Sequence, residues 1–350
     1  MKVRLSNLRI SHIATALPKD IVQIRDYEKF FDPKAIRRIM KSTGVEAIHI
    51  AKPEMCSSDY DVELAKRLMQ EIGMSGDDFD GIVFVSQTPD YITPATSIIM
   101  QDRLGLPQSA VAFDINYGCS GYVYGLYQAS LLVSSSSCRR VLMFTGDTQV
   151  RLSHEQDRTN RMILGDGFSA TIVECGDQTF HFNIQSDGSG YRAIIVEAGG
   201  FRRPKSEETA APIFDDKGNP HWAEYVYLDG MEIMNFALTR VPALINETLA
   251  DVGWSKSDVG VFAMHQANQL ILQFLASRLK IEPDRMPIFM KSVGNTVSAS
   301  IPLMLSSKRD ELVKRDALKK VIMCGFGVGL SWGTVATDLS ETIIHDTWII

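Results

Sequence analysis

The residue best suited to nucleophilic chemistry is Cys119, in the run Tyr117-Gly118-Cys119-Ser120-Gly121. A thiolate attacks a carbonyl carbon and later leaves it again, which suits it to carrying an acyl group. Cys119 follows the apolar run Ala110–Asn116 and precedes Ser120–Ser136, a stretch that reads as a helix. That order sets the thiol at a helix N-terminus, where the dipole favours the thiolate by about 1 kcal/mol. This is less than one pKa unit, so a nearby histidine is expected to assist. His265 is the candidate. It ends the run Val261–Met264 and opens Gln266-Ala267-Asn268-Gln269, a strand-end position of the kind where α/β folds gather their sites. Asn295, in Ser292-Val293-Gly294-Asn295-Thr296, is the third residue. A Cys with a distant His and Asn can form a site only through the fold.

A fourth element is Cys324-Gly325-Phe326-Gly327-Val328-Gly329-Leu330-Ser331-Trp332-Gly333. It lacks GxGxxG spacing, and no acidic ribose partner follows, so a dinucleotide loop is excluded. Such glycines can instead bring backbone N–H groups close to a reacting carbonyl. The remaining histidines have no ligand spacing, so no metal site is expected. Cys56, Cys138, Cys175 and Cys324 read as ordinary thiols.

These residues must be positioned by strands alternating with helices. Short β-branched runs at 81–87, 110–116, 140–146, 260–265 and 320–325 read as buried strands, and 61–73 and 235–253 as helices. The pattern predicts α/β layers. It also repeats. Gly73 and Gly253 are 180 apart; Arg103-Leu104 and Arg278-Leu279 are 175 apart. Gly118-Cys119-Ser120 falls opposite Gly294-Asn295-Thr296 at an offset of 176, and Arg140-Val141 opposite Lys320-Val321 at 180. Ordered matches at nearly constant offset point to an internal duplication, with Cys119 and Asn295 at equivalent turns. The halves are expected at 1–176 and 177–350, with a polar insertion near 186–227 reading as loops or a lid.

Composition bounds the rest. The 350 residues are 45% hydrophobic and 22% charged, ordinary for a globular protein with a large core. A net charge of -6 disfavours electrostatic nucleic-acid binding. No apolar run is long enough to span a bilayer, and Lys2, Arg4 and Arg9 interrupt any signal-peptide core. Five widely spaced cysteines imply free thiols in a reducing compartment, hence a cytoplasmic protein.

The motifs Tyr117–Tyr127, Leu164–Thr171, Met264–Gln269, Val293–Ile301 and Gly325–Thr334 together resemble the β-ketoacyl-acyl carrier protein synthase III family of the thiolase-like superfamily. The resemblance covers nearly the whole chain. It implies a duplicated αβαβα five-layer sandwich, a homodimer, and no permanently bound cofactor. Cys119 would take an acyl group from acyl-CoA or an acyl-carrier-protein donor. His265 and Asn295 would stabilise the enolate from decarboxylation of malonyl-ACP or malonyl-CoA, and the carbanion would attack the acyl-Cys to give a β-ketoacyl thioester. The Cys119 amide and a backbone N–H near Val328 would form an oxyanion hole. Phe326 and Gly327 would line the substrate site.

Departures from the family pattern concern the partners. Arg38 stands where a Trp commonly grips coenzyme A, and Ser42 where an Arg does; Arg158 is retained. Leu270 and Asn235 replace basic carrier-protein contacts, leaving Arg278. Val328 replaces a glycine, and Thr93 stands where a bulky residue often reaches the partner's acyl pocket. These changes fit a specialised homologue. One alternative is acyl transfer to a non-malonyl nucleophile, by O- or N-acylation or head-to-head condensation. A papain-like cysteine protease shares the Cys, His, Asn order, but CGSCW is absent. A non-catalytic subunit would be expected to lose one of the three residues.

Overall fold

The computed structural model describes residues 1–158, 160–215 and 218–350. Its elements are β1 (Lys2–Leu17), β2 (Asp20–Gln23), α1 (Pro33–Thr43), β3 (Ala47–Ile50), α2 (Ser57–Ile72), β4 (Gly81–Val85), α3 (Thr96–Arg103) and β5 (Val111–Ile115). Then come α4 (Gly121–Ser134), β6 (Arg140–Asp147), β7 (Gly167–Ser186), β8 (Ile194–Ile195), α5 (Glu207–Ala210), β9 (Ile213–Phe214), β10 (Pro220–His221) and β11 (Tyr227–Leu228). The chain finishes with α6 (Gly230–Val252), β12 (Val261–Met264), α7 (Gln269–Leu279), α8 (Ser300–Lys314), β13 (Val321–Gly327), β14 (Ser331–Thr337) and β15 (Ile343–Ile349).

Two strand sets share one pattern. β4 pairs in parallel with β5 and β6, and β6 runs antiparallel to residues 167–174 of β7. Likewise β12 is parallel to β13, β13 antiparallel to β14, and β14 antiparallel to residues 181–186 of β7. β1 lies antiparallel along β7 and parallel to β15. The two long strands therefore serve both sets.

Side-chain alternation along the strands builds the layers. Val83, Val85, Val141 and Met143 pack with Val261, Ala263, Val321 and Met323 around α4 and α8. The intervening Ile82, Phe84, Leu142 and Phe144 face outward onto α2 and α3. Phe262, Met264, Ile322 and Cys324 face outward onto α6 and α7. The order is helix, sheet, helix, sheet, helix. Strands covered on both faces need unbroken apolar sequence, hence the runs legible at 81–85 and 321–324.

The two sets also begin alike. α2 and α6 each end at a left-handed glycine, Gly73 (φ 69°) and Gly253 (φ 67°). In each case a serine–aspartate box follows: Asp78 Oδ2 accepts from the Ser75 N–H, and Asp258 Oδ2 from the Ser255 N–H. β4 and β12 come next.

Candidate active site

Cys119 sits in the turn between β5 and α4, and Asn295 in the turn leading to α8. The central helix pair thus presents both residues from its N-terminal ends. His265 leaves β12, tethered by its own N–H to the Cys324 carbonyl at 2.8 Å. All three line one narrow cavity of about 100 Å³, with Phe326 and Gly327. The chain's three widely separated candidates therefore meet, and the glycine-rich segment joins them.

Each is held in a defined orientation. The Val297 N–H donates to Asn295 Oδ1 at 2.9 Å. That occupies the carbonyl end; the NH₂ end donates one N–H to the Ala267 carbonyl at 3.4 Å and keeps a second as a donor toward the cavity. His265 Nδ1 lies 2.7 Å from Ser300 Oγ. The Ser300 hydroxyl donates to the Val297 carbonyl at 2.9 Å, and its oxygen accepts from the Gln266 N–H at 3.3 Å. Phe326 packs edge-on against the imidazole at 5.5 Å.

Gly327 explains its own identity. A Cβ there would lie 2.5 Å from Cys119 Cβ and 2.9 Å from Sγ. Only a bare backbone lets the loop approach the sulfur so closely. The Val328 and Cys119 backbone N–H groups both bond the sulfur, the pair expected as an oxyanion hole. Ser331 Oγ donates to the Val328 carbonyl at 2.7 Å and meets Ser120 Oγ at 2.6 Å, tying this loop to the start of α4.

Electrostatically the resting site is neutral. Burial pushes the Cys119 thiol up to about 12, against the lowering pull of the Val328 N–H. The desolvation cost outweighs both backbone N–H groups and the gain expected from the helix dipole. Burial likewise drives His265 down to about 3. Thiol and imidazole are therefore both uncharged near neutral pH. This suits hydrogen-bond donation to a developing oxyanion and requires the thiol proton to leave during attack.

Other expected residues lie around this centre. Arg38 and Arg158 share a neighbouring cavity of about 290 Å³ with Ser42 and Ile163. Ile163 also lines the Cys119 cavity, so it forms the wall between them. Thr93 is exposed and outside the Cys119 cavity; its neighbour Ile92 lines a larger cavity of about 800 Å³ that includes Gln87, Asn116, Leu152 and Phe201. Arg278 is exposed at the last turn of α7 and lines neither cavity near Cys119. The sequence reading missed Asn160, Ile194 and Leu228 as lining residues. Asn160 precedes the Gly165-Asp166-Gly167 motif by five positions, the one local signal available. Ile194 lies within the segment read as loops or a lid, and Leu228 directly follows it. No group of metal-ligating side chains occurs, and no helix is long and apolar enough to cross a membrane, among the described residues.

Family models for 3-oxoacyl-[acyl-carrier-protein] synthase III match residues 113–188, and for its C-terminal part residues 249–339. A Streptococcus pneumoniae protein named beta-ketoacyl-[acyl-carrier-protein] synthase III is 30% identical over 331 residues, covering 93% of this chain and 98% of its own. The solved 3-oxoacyl-(acyl-carrier protein) synthase of Burkholderia xenovorans superposes with a TM-score of 0.93 at 34% identity, covering 100% of this chain and 99% of its own. The Thermus thermophilus synthase III structure gives 0.82 at 26% identity over 94% of this chain and 98% of its own.

Proposed function

Because the chain belongs to the 3-oxoacyl-[acyl-carrier-protein] synthase III family, we propose that Cys119, His265 and Asn295 carry out its decarboxylative Claisen condensation. The enzyme is an acyltransferase of the thiolase-like fold, and this membership removes the protease reading. In the first stage Cys119 Sγ attacks an acyl thioester. The S–C bond forms, the carrier sulfur departs, and the thiol proton ends on that leaving sulfur. The Cys119 and Val328 N–H groups hold the tetrahedral oxyanion. In the second stage a malonyl thioester enters and loses carbon dioxide. His265 and the Asn295 amide donate hydrogen bonds to the enolate oxygen. The enolate carbon attacks the acyl-Cys carbonyl, and the released Cys119 sulfur takes one proton. The product is a β-ketoacyl thioester.

The single observation behind this reading is the convergence of all three side chains, with Gly327, on one cavity. Acyl-CoA or acyl-carrier-protein donors would enter past Arg38 and Arg158 and the Ile163 wall, with no bound cofactor. An acyl chain on Cys119 would extend past Leu152, which packs against the same Leu164, Val226 and Val297 cluster as Cys119 and also lines the larger cavity. Ile92 and Phe201, 81% and 90% exposed, flank that cavity, an apolar surface that a second copy of the chain would cover. The five free cysteines fit a cytoplasmic enzyme. The two halves would meet near residue 176, within β7.

The test separates the stages. His265→Ala and Asn295→Ala should each slow carbon dioxide release from malonyl thioester by about 10²–10³, while still forming acyl-Cys119. A variant that condenses at the wild-type rate would remove its residue from the mechanism. Acylation without any carbon dioxide release in the wild type would favour transfer to another nucleophile.

A further inference from the structure

We propose that α1 is the docking surface for the acidic carrier protein that delivers thioester substrate; this rests on the condensation reading above. α1 has two distinct faces. Ile36, Ile39, Met40 and Thr43 turn inward, Ile36 being buried in the cluster with Ile24, Tyr27 and Ile48. Lys34, Arg37, Arg38 and Lys41 are all exposed. They stand at i, i+3, i+4 and i+7, so they form a single stripe about 10 Å long. None of the four forms an ion pair with a described residue. The nearest acid in sequence, Asp32, uses its carboxylate to cap the helix, accepting from the Lys34 and Ala35 N–H groups at 2.8 and 3.1 Å. Four like charges at helical spacing repel one another, in a protein whose net charge is -6. An external anionic surface would relieve that repulsion.

The stripe borders the substrate entrance. Arg38 lines the cavity that Ile163 separates from Cys119. Lys34 and Arg37 line neither that cavity nor the Cys119 cavity, and Lys41 lines a separate one of about 630 Å³ with Lys291 and Lys308. A nucleotide would be held in a concavity. Cations spread along a convex helix instead suit an acidic helix of a carrier protein, whose thioester-bearing arm would enter beside Arg38. Opposite charge across such a contact governs encounter and register. The contrasting surface is α7. Its exposed residues are Leu270, Gln273, Phe274, Ser277 and Arg278, with one cation at the far end.

The test compares Lys34→Glu/Arg37→Glu/Lys41→Glu with Arg278→Glu, all exposed substitutions. Binding of a fluorescently labelled holo-acyl carrier protein is measured by anisotropy at low and high salt. Turnover is followed with malonyl-carrier protein, malonyl-CoA and malonyl-pantetheine. The triple variant should bind carrier at least tenfold more weakly and lose the salt dependence of the wild type. Its turnover of malonyl-CoA and malonyl-pantetheine should stay within twofold, as should carrier binding by Arg278→Glu. Unchanged carrier binding in the triple variant overturns the proposal, as does a loss in Arg278→Glu instead. A parallel loss with malonyl-CoA also overturns it, because the stripe would then read nucleotide phosphates. A wild type that binds no carrier overturns it as well. A wild type that binds carrier through α1 but condenses nothing leaves the docking surface standing and overturns the condensation reading.

Discussion

Gly327 shows how closely the site is built around one sulfur. Its missing side chain is what lets the Val328 N–H reach Cys119, and an added Cβ would sit 2.9 Å from Sγ. Gly327→Ala should therefore slow acylation of Cys119 by about a hundredfold, since a displacement near 1 Å at a reacting centre costs that much. Adduct formation followed by intact-protein mass spectrometry checks this, and wild-type acylation would show that the loop has room to retreat. At this scale the reactive residues were legible because their types are few and their turns repeat. Their ionisation was not. Sequence gives the helix N-terminus but not the walls, and it is the walls that drive the thiol up to about 12 and the imidazole down to about 3.

Among the elements, the matched helix ends carry the clearest trace of duplication. Gly73 and Gly253 have left-handed φ, and a Cβ at either meets nothing within 4 Å. The cost of an alanine there is thus conformational alone, about 1–2 kcal/mol. Gly73→Ala and Gly253→Ala should destabilise the protein by similar amounts in denaturant unfolding, and unequal costs would mean the two ends are not equivalent. The strands β4, β6, β12 and β13 could be read from sequence because both faces are covered, and β5 from the same apolar run although its residues are only half-buried or exposed. The long strands β1 and β7 could not. β1 runs from a half-exposed end into a buried one, and β7 passes from buried residues 167–174 through a polar stretch at 175–179. Neither keeps one periodicity, because each serves both strand sets. The lining residues Ile194 and Leu228 were missed for a related reason: one lies within a mostly polar segment and the other directly after it.

Over the whole molecule, the layers bury several carboxyl groups that the mechanism does not use, among them Asp61, Asp147 and Asp166. Asp61, on α2, is fully buried with both carboxylate oxygens unpartnered, and burial with the nearby Asp147 charge holds its carboxyl well above the usual range. The folded state thus keeps a proton that the unfolded chain releases near 3.8. Stability from this group is full below that pH and is lost as pH rises toward the folded value. Asp61→Asn, which cannot ionise, should gain stability over the wild type at pH 8 and show a smaller gain at pH 5. Equal differences at the two pH values, measured by thermal unfolding, would mean that Asp61 finds a partner when charged.

The most direct test of the account is a two-step single turnover followed by intact-protein mass spectrometry. Protein exposed to a panel of acyl-CoA and acyl-carrier-protein donors should gain one acyl mass, mapped to Cys119 and absent from Cys119→Ala. Malonyl thioester added next should discharge that adduct with one carbon dioxide per acyl group. An adduct on another residue, or discharge without carbon dioxide, would contradict Cys119, His265 and Asn295 as a condensing site.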